Sequence, residues 1–206
     1  MRRATGADGM EIAARVRGAT LRLRTAPSLF SPGRPDAGTL ALLDRVDLSP
    51  GQKLLDLGCG YGLVGLWAAT VTDPALVWMV DNDPVAVACA RENAALNGAA
   101  GVHVALSDGV ADLTETGFDH IVCHPPYHAD FSVAKRFIEK GFNRLSIGGR
   151  MWMVTRREDW YRNRLTAIFG GVRVSAQDGY FVFEAQKRQA AYAPPVKSAR
   201  PKRLPR

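Results

Sequence analysis

The chain has 206 residues, 47% of them hydrophobic and 8% aromatic, with a net charge of +7; that length suits one substantial domain, or a domain with an appendage. Cys59, Cys89 and Cys123 form no CxxC pair, which excludes a disulfide scaffold and a cysteine-rich zinc site and leads us to expect a reduced, cytoplasmic protein. The basic N-terminus lacks the apolar core of a secretion signal, and no stretch approaches the roughly 20 apolar residues of a membrane span, so a soluble protein without membrane contact is expected.

Residues 11–24, EIAARVRGATLRLR, alternate apolar and basic side chains around Gly18, the pattern of a hairpin with one buried face and one arginine-studded face. Pro27 to Gly38 holds three prolines and two glycines and reads as a loop. GTLALLDRVDL then predicts a helix over 38–48, stopped by Ser49, Pro50 and Gly51. From Lys53 onward strand-length apolar runs alternate with helical patterns. Strands are expected at 53–57, 76–80, 102–106, 118–123, 150–155, 172–176 and 180–186, and helices at 63–71, 84–96, 133–145 and 158–169. Asp83 before Pro84 reads as a helix start and Asn97-Gly98 as its stop. Such alternation predicts an α/β fold with helices on both faces of a parallel sheet. The last two strands are joined only by Gln177, Asp178 and Gly179, too short for a parallel crossover, so one strand of a mostly parallel seven-stranded sheet is reversed near its edge.

The charge is segregated along this plan. Residues 1–35 hold seven Lys/Arg against two acids, residues 36–130 three against thirteen, and residues 131–206 seventeen against five. Basic ends suit a polyanion, although any single charge also fits a solvated face. Residues 187–206 carry seven Lys/Arg and no acid, with four prolines, and are expected to be disordered until they meet a partner.

Two stretches carry chemistry. In LLDLGCGYGLVG, residues 54–65, an apolar strand runs into Asp56, then Gly58, Cys59, Gly60 and Gly62, then a helix. Glycines let the backbone approach a ligand, and the helix N-terminus points unpaired N–H groups at the same place. The second strand ends in Asp81-Asn82, where a carboxylate can accept from both hydroxyls of a ribose. The third ends in Ser107-Asp108, where one can accept from the exocyclic amine of adenine; both aspartates could instead cap helices. Carboxylates crowding a glycine turn suit a cationic cofactor better than a pyrophosphate, so Asp56 favours S-adenosylmethionine over NAD. The fourth strand ends in Ile121-Val122-Cys123-His124-Pro125-Pro126-Tyr127. The prolines stiffen the corner and leave carbonyls free, Tyr127 offers a ring on which a base could stack, and His124 is a candidate side-chain acceptor for an amine. No third ligand joins His124 and His128, so no metal is expected.

The glycine turn, the Asp81 and Asp108 strand ends and the His-Pro-Pro-Tyr corner resemble a class I S-adenosylmethionine-dependent methyltransferase, in particular the small-domain methyltransferases related to bacterial ribosomal RNA guanine-N2 enzymes. The segment Phe30-Ser31-Pro32-Gly33-Arg34-Pro35-Asp36-Ala37-Gly38-Thr39 is similar to that family's F-S-(loop)-D-x-G-T/S stretch, which lies beside the cofactor and the target pocket. The resemblance spans about residues 10–187. It implies a Rossmann-like class I methyltransferase fold, with a basic hairpin and loop over 1–35, the methyltransferase domain over 36–187 and the basic tail over 188–206. It implies S-adenosylmethionine held by Asp36, Thr39, Asp56, Gly58, Cys59, Gly60, Asp81, Asn82 and Asp108, and catalysis at His124, Pro125, Pro126 and Tyr127. The family begins its fourth motif with Asn, whereas this chain has His124. A neutral imidazole can accept a hydrogen bond as an Asn carbonyl does, but an imidazolium cannot. Activity is therefore expected to fall as pH drops through the His124 pKa.

The resemblance implies methyl transfer to an exocyclic amine of a base in RNA, as in ribosomal RNA processing, with RNA or a ribosomal subunit as partner. Arg15, Arg17, Arg22, Arg24, Arg156, Arg157, Arg162 and Arg164 are the candidate phosphate contacts, together with the tail. The aromatic-interleaved run 156–164 reads equally as an RNA-facing helix or an amphipathic one, and Trp152 reads as core. Methylation of a small molecule or protein amide, and a silent RNA-binding protein, are the alternatives.

Overall fold

The computed structural model describes residues 9–125 and 131–193. An antiparallel hairpin, β1 (Met10–Val16) and β2 (Ala19–Thr25), precedes the main sheet. That sheet is built from β3 (Leu54–Leu57), β4 (Val77–Asp81), β5 (His103–Leu106), β6 (Phe118–Cys123), β7 (Leu145–Thr155), β8 (Arg173–Gln177) and β9 (Tyr180–Gln186). Their order is β5-β4-β3-β6-β7-β9-β8, and β9 alone runs against the others, beside the edge strand. The seven-stranded, mostly parallel sheet with one reversed strand is the architecture expected from the alternation and the three-residue link.

Alternation along the strands feeds two cores. Val122, Trp152 and Val154 face the layer of α1 (Ala37–Leu43), α2 (Leu63–Ala68) and α3 (Pro84–Leu96), while Ile121, Cys123, Met151 and Met153 face α4 (Phe131–Arg144) and α5 (Asp159–Phe169). Side chains at i and i+2 of a strand share a face, so the same two strands serve both layers with alternate residues. Trp152 is buried, and its indole donates to His120 Nδ1 at 3.0 Å. No helix among the described residues is long and apolar enough to cross a membrane.

The hairpin joins the first core through Ala14, Val16, Leu21 and Leu23. The polar edge of β2 is closed by α3. Asn93 accepts from Arg24 N and donates to Arg24 O, at 2.7 and 2.8 Å, and Asn97 does the same for Arg22, at 3.0 and 2.7 Å. Four residues along a helix advance about 6 Å and two along a strand nearly 7 Å, so paired amides on a helix substitute for a missing neighbouring strand.

Most boundaries fall within three residues of expectation, and two differ by five. The first helix ends at Leu43 rather than 48, because the Arg17 guanidinium reaches across from the hairpin turn to take the carbonyls of Leu43 and Val46; a cation at a helix C-terminus satisfies carbonyls the helix leaves open. Strand β7 begins at Leu145, directly after α4, not at Arg150. The Gly148-Gly149 pair absorbs the resulting register shift, since a Cβ on Gly149 would lie 2.7 Å from the Phe118 carbonyl oxygen.

Candidate active site

The chain leaves β3 for β4 on one side and returns through β6 on the other, and the carboxyl ends of strands at such a switch point form a crevice. A cavity of about 430 Å³ lies there. The glycine turn and Asp56 line it from β3, Asp81 and Asn82 from β4, Asp108 from β5, and His124 and Pro125 from β6; Asp36 and Thr39 close it from the start of α1. Every described residue expected to bind cofactor or act in catalysis is therefore brought to one cavity. Pro126, Tyr127 and His128 lie outside the described residues, as do residues 194–206 of the tail.

The β3–β4 half is held by main-chain groups. Gly58, Gly60 and Gly62 all have positive φ, at 78°, 54° and 91°, a region that costs side chains with a Cβ. Gly58 and Cys59 N–H both donate to the Val80 carbonyl, at 2.9 and 3.0 Å. One Asp81 carboxylate oxygen accepts from Gly60 N–H at 2.8 Å and the other from Asp83 N–H at 3.0 Å. Asp83, not Asp81, caps α3, accepting from Val85 N–H at 2.8 Å. Asp81 thus ties the glycine turn to the next strand, and an ionised carboxylate so used keeps lone pairs for a ligand.

Asp56 sits deeper. Its carboxyl accepts from Gly65 N–H at 2.9 Å, supplying from the neighbouring strand the helix cap that Gly62 cannot. A Cβ on Gly65 would lie 2.3 Å from Met79 Cγ, so this glycine lets α2 close on β4. Burial pushes Asp56 up to about 7, assisted by the charge of Asp81 and opposed by the Gly65 hydrogen bond. Burial also holds the Cys59 thiol well above its usual value. Asp108 is exposed and caps no helix; it pairs with Arg136 of α4 at 3.3 Å.

The β6 half is held by side chains from distant segments. His124 Nδ1 lies 3.0 Å from Thr39 Oγ1 and 3.4 Å from an Asp36 carboxylate oxygen. The same oxygen of Asp36 caps α1 by accepting from Thr39 N–H at 3.0 Å, while its other oxygen accepts from Tyr180 OH at 3.2 Å. Arg156 donates to Tyr180 OH at 3.2 Å and lies over its ring at 4.7 Å. A Cβ on Gly38 would sit 2.4 Å from the Tyr180 ring. The Asp-x-Gly-Thr stretch is thereby explained: Asp caps and takes the phenol, Gly admits its ring, and Thr meets the histidine. Phe30, 55% exposed at the cavity wall, stands edge-on to His124 with ring centroids 5.3 Å apart.

Burial drives the His124 pKa down to about 4, with the Asp36 charge opposing and Arg156 reinforcing the shift. The imidazole is neutral at physiological pH, and the acid limb expected from an ordinary histidine moves to about pH 4. Sequence reasoning had no place for Tyr180, which reads only as a strand residue, nor for Arg136 and Phe137 of α4, which also line the cavity. The glycine at position 38 was the one local trace of Tyr180.

The candidate phosphate contacts divide. Arg15, Arg22 and Arg24 lie on the exposed face of the hairpin, Arg22 paired with Glu11 at 2.8 Å and Arg24 with Glu92 at 3.8 Å. Arg17 is committed to α1, Arg156 to Tyr180, and Arg164 to Glu139 of α4. Arg162 pairs with Glu158 on its own helix, and Arg157 lies over Phe131 at 5.2 Å. Trp160 stacks on Phe131 at 4.3 Å and Tyr161 is buried, so the aromatic residues of the 156–164 run pack against α4. Exposed Arg136 lines the cavity, and exposed Lys135 and Lys140 lie on the same helix, a basic segment that charge counting did not single out.

Residues 20–184 match the family model for the methyltransferase small domain. Ribosomal RNA small subunit methyltransferase C of Chromohalobacter salexigens is 36% identical over 182 residues, 84% of this chain and 54% of its own length. The protein of the same name from Hahella chejuensis is 34% identical over 166 residues, covering 79% and 48%. A solved 16S rRNA N2 methyltransferase (RsmC) of T. thermophilus, in complex with AdoMet and guanosine, superposes with a TM-score of 0.82 at 29% identity, covering 89% of this chain and 52% of that one. The chain spans about half the length of these relatives. With the glycine turn, the strand-end carboxylates and the proline corner around one cavity, the chain belongs to the methyltransferase small domain family.

Proposed function

We propose that the protein transfers a methyl group from S-adenosylmethionine to an exocyclic amine of a nucleobase in ribosomal RNA, the N2 amine of guanine above all. The observation that carries the reading is the single cavity with two differently built halves, an acidic glycine-turn half and a neutral His124 half. An acid-lined crevice suits a cofactor that bears a sulfonium and an ammonium group. The T. thermophilus relative, solved with AdoMet and guanosine, supports both ligands.

S-adenosylmethionine supplies an electrophilic methyl group. Asp81 takes the ribose hydroxyls, Asn82 and Asp108 receive the adenine, and the turn Gly58-Cys59-Gly60 lets the main chain lie against the methionine moiety, with Asp56 behind it. On the other side, neutral His124 and a main-chain carbonyl of the rigid His124-Pro125 corner accept hydrogen bonds from the two amine N–H groups, which turns the nitrogen lone pair toward the methyl group. As the N–CH3 bond forms the S–CH3 bond breaks, S-adenosylhomocysteine leaves, and the surplus proton on nitrogen passes to water. Pro126 and Tyr127 follow in the sequence, and Phe30 offers the base an apolar face. Rate acceleration comes from positioning and electrostatics. Arg15, Arg22, Arg24 and the exposed basic face of α4 meet phosphates.

The reading is tested by incubating ribosomal subunits, total RNA and a protein extract with methyl-labelled cofactor. Label in ribosomal RNA is the expected outcome. Label in protein or in a free metabolite at full rate would replace RNA by that substrate, and no label in any fraction would leave a silent binding protein.

A further inference from the structure

We infer that Asp36 and Thr39 are positioning residues that keep the single proton of the His124 imidazole on Nδ1, so that Nε2 presents the lone pair that receives the substrate amine. The inference rests on the proposed methyl transfer and adds to it the device that makes a histidine fit for an acceptor's place.

The need arises from the chemistry of imidazole. A neutral ring has one N–H and one lone pair, and the partner of one nitrogen decides which the other presents. A free imidazole carries its proton mainly on Nε2, and in that form Nε2 would point a donor at an amine donor. The local geometry reverses this preference. Thr39 Oγ1 at 3.0 Å can accept from Nδ1–H, and the Asp36 carboxylate oxygen at 3.4 Å favours a proton on that nitrogen and repels a lone pair there.

Asp36 is held in this position twice over, by Thr39 N–H at 3.0 Å and by Tyr180 OH at 3.2 Å. Its own helix-capping role thus fixes the carboxylate beside the ring. Arg156, Tyr180 and Phe30, also near His124, bear on its charge and its packing. Arg156, lying on Tyr180, opposes a second proton, and Tyr180 and Phe30 stand edge-on to the ring, at 6.2 and 5.3 Å between centroids. Burial acts in the same direction as Arg156. The ring therefore stays neutral across the working pH range, and the position of one proton is what remains to be fixed.

Nitrogen-15 NMR of histidine-labelled protein at pH 8, using two-bond proton–nitrogen correlations, reads that position directly. His124 is expected to carry its proton on Nδ1 in the wild type and to shift toward the Nε2–H form in Asp36→Asn and in Thr39→Val. Asn is as good a helix cap as Asp, so Asp36→Asn keeps the fold while removing the charge. In the transfer assay Asp36→Asn should lower kcat on the order of 10–100-fold. In a His124→Asn background, where no tautomer exists to be set, the same substitution should cost little. An Nε2–H tautomer in the wild type overturns the inference, as does an equal loss from Asp36→Asn in both backgrounds. A wild type with Nδ1–H but no methyl transfer upholds the proton assignment and overturns the methyl-transfer reading instead.

Discussion

The two halves of the cavity are built by different means. In the glycine-turn half the carboxylates are clamped by main-chain N–H groups close in sequence or on the adjoining strand: Asp56 by Gly65, and Asp81 by Gly60 and Asp83. In the His124 half the ring is fixed by side chains from residues 36, 39, 156 and 180, drawn from α1, the end of β7 and β9. Main-chain clamps depend on backbone course, which glycines and strand ends specify locally. Side-chain clamps depend on how distant elements pack. The first half is therefore tolerant of its surroundings, and the second is sensitive to any change that moves α1 against β9.

The largest effects should come from substitutions that break one half alone. Asp81→Ala removes the clamp on Gly60 and Asp83 and the two charge-assisted hydrogen bonds proposed to the ribose, each worth about 1.5–3 kcal/mol. Cofactor affinity measured by calorimetry should fall by roughly 100-fold or more. Retention of wild-type affinity would remove Asp81 from the cofactor site. Gly38→Ala is the complementary test: its Cβ meets the Tyr180 ring at 2.4 Å, displacing the ring from Asp36 and hence the support of His124. Methyl transfer should fall about 100-fold, as misplacement by about an ångström costs, while cofactor affinity stays within a factor of about 2. A matching loss of affinity would mean that the two halves are not separable.

A smaller effect follows from the titration of Asp56. Its carboxyl is held near 7 in the folded protein against an ordinary value of 3.8, burial being the main cause. Such a raised pKa contributes stability that is complete below about 4 and is lost as pH rises through about 7. Asp56→Asn retains an acceptor for Gly65 N–H without the buried charge, and should raise Tm at pH 8 by about 2–4 °C for each kcal/mol recovered. Because the ionised carboxyl favours a cationic ligand, cofactor affinity of the wild type should increase as pH rises through 7 and that of the variant should not. A pH-independent wild-type affinity would exclude an interaction between Asp56 and the cofactor's charge.

The contrast also accounts for what could be read from the sequence. Strand and helix alternation, the reversed strand forced by Gln177-Asp178-Gly179, and the Asp83-Pro84 helix start are local, and the structure has them where the pattern puts them. The glycine turn and Asp81 are local too. The early end of α1 was not legible, because it depends on Arg17 reaching from the hairpin to the carbonyls of Leu43 and Val46. For the same reason Arg17, Arg156 and Arg164 read as basic surface, although each guanidinium meets a partner remote in sequence. Tyr180 was invisible because a strand pattern reports that a ring is buried but not which helix start it touches. The histidine itself was legible, and its low pKa was not, since that depends on burial.

The smallest expected effect concerns the surface. Replacing Arg15, Arg22 and Arg24 together by Ala should weaken RNA binding and reduce its log–log salt slope by about 1 for each phosphate contact removed, without altering cofactor affinity. An unchanged slope would move the RNA interface away from the hairpin, toward the basic face of α4.

The central claim is that the acidic half presents a methyl donor to an amine held by the His124 corner. Nucleoside analysis of ribosomal RNA methylated by this protein with labelled S-adenosylmethionine tests it most directly. The account predicts that the label is on an exocyclic nitrogen, as N2-methylguanosine, and that it disappears with Asp81→Ala. Label on a ring nitrogen, a carbon or a ribose oxygen would contradict it.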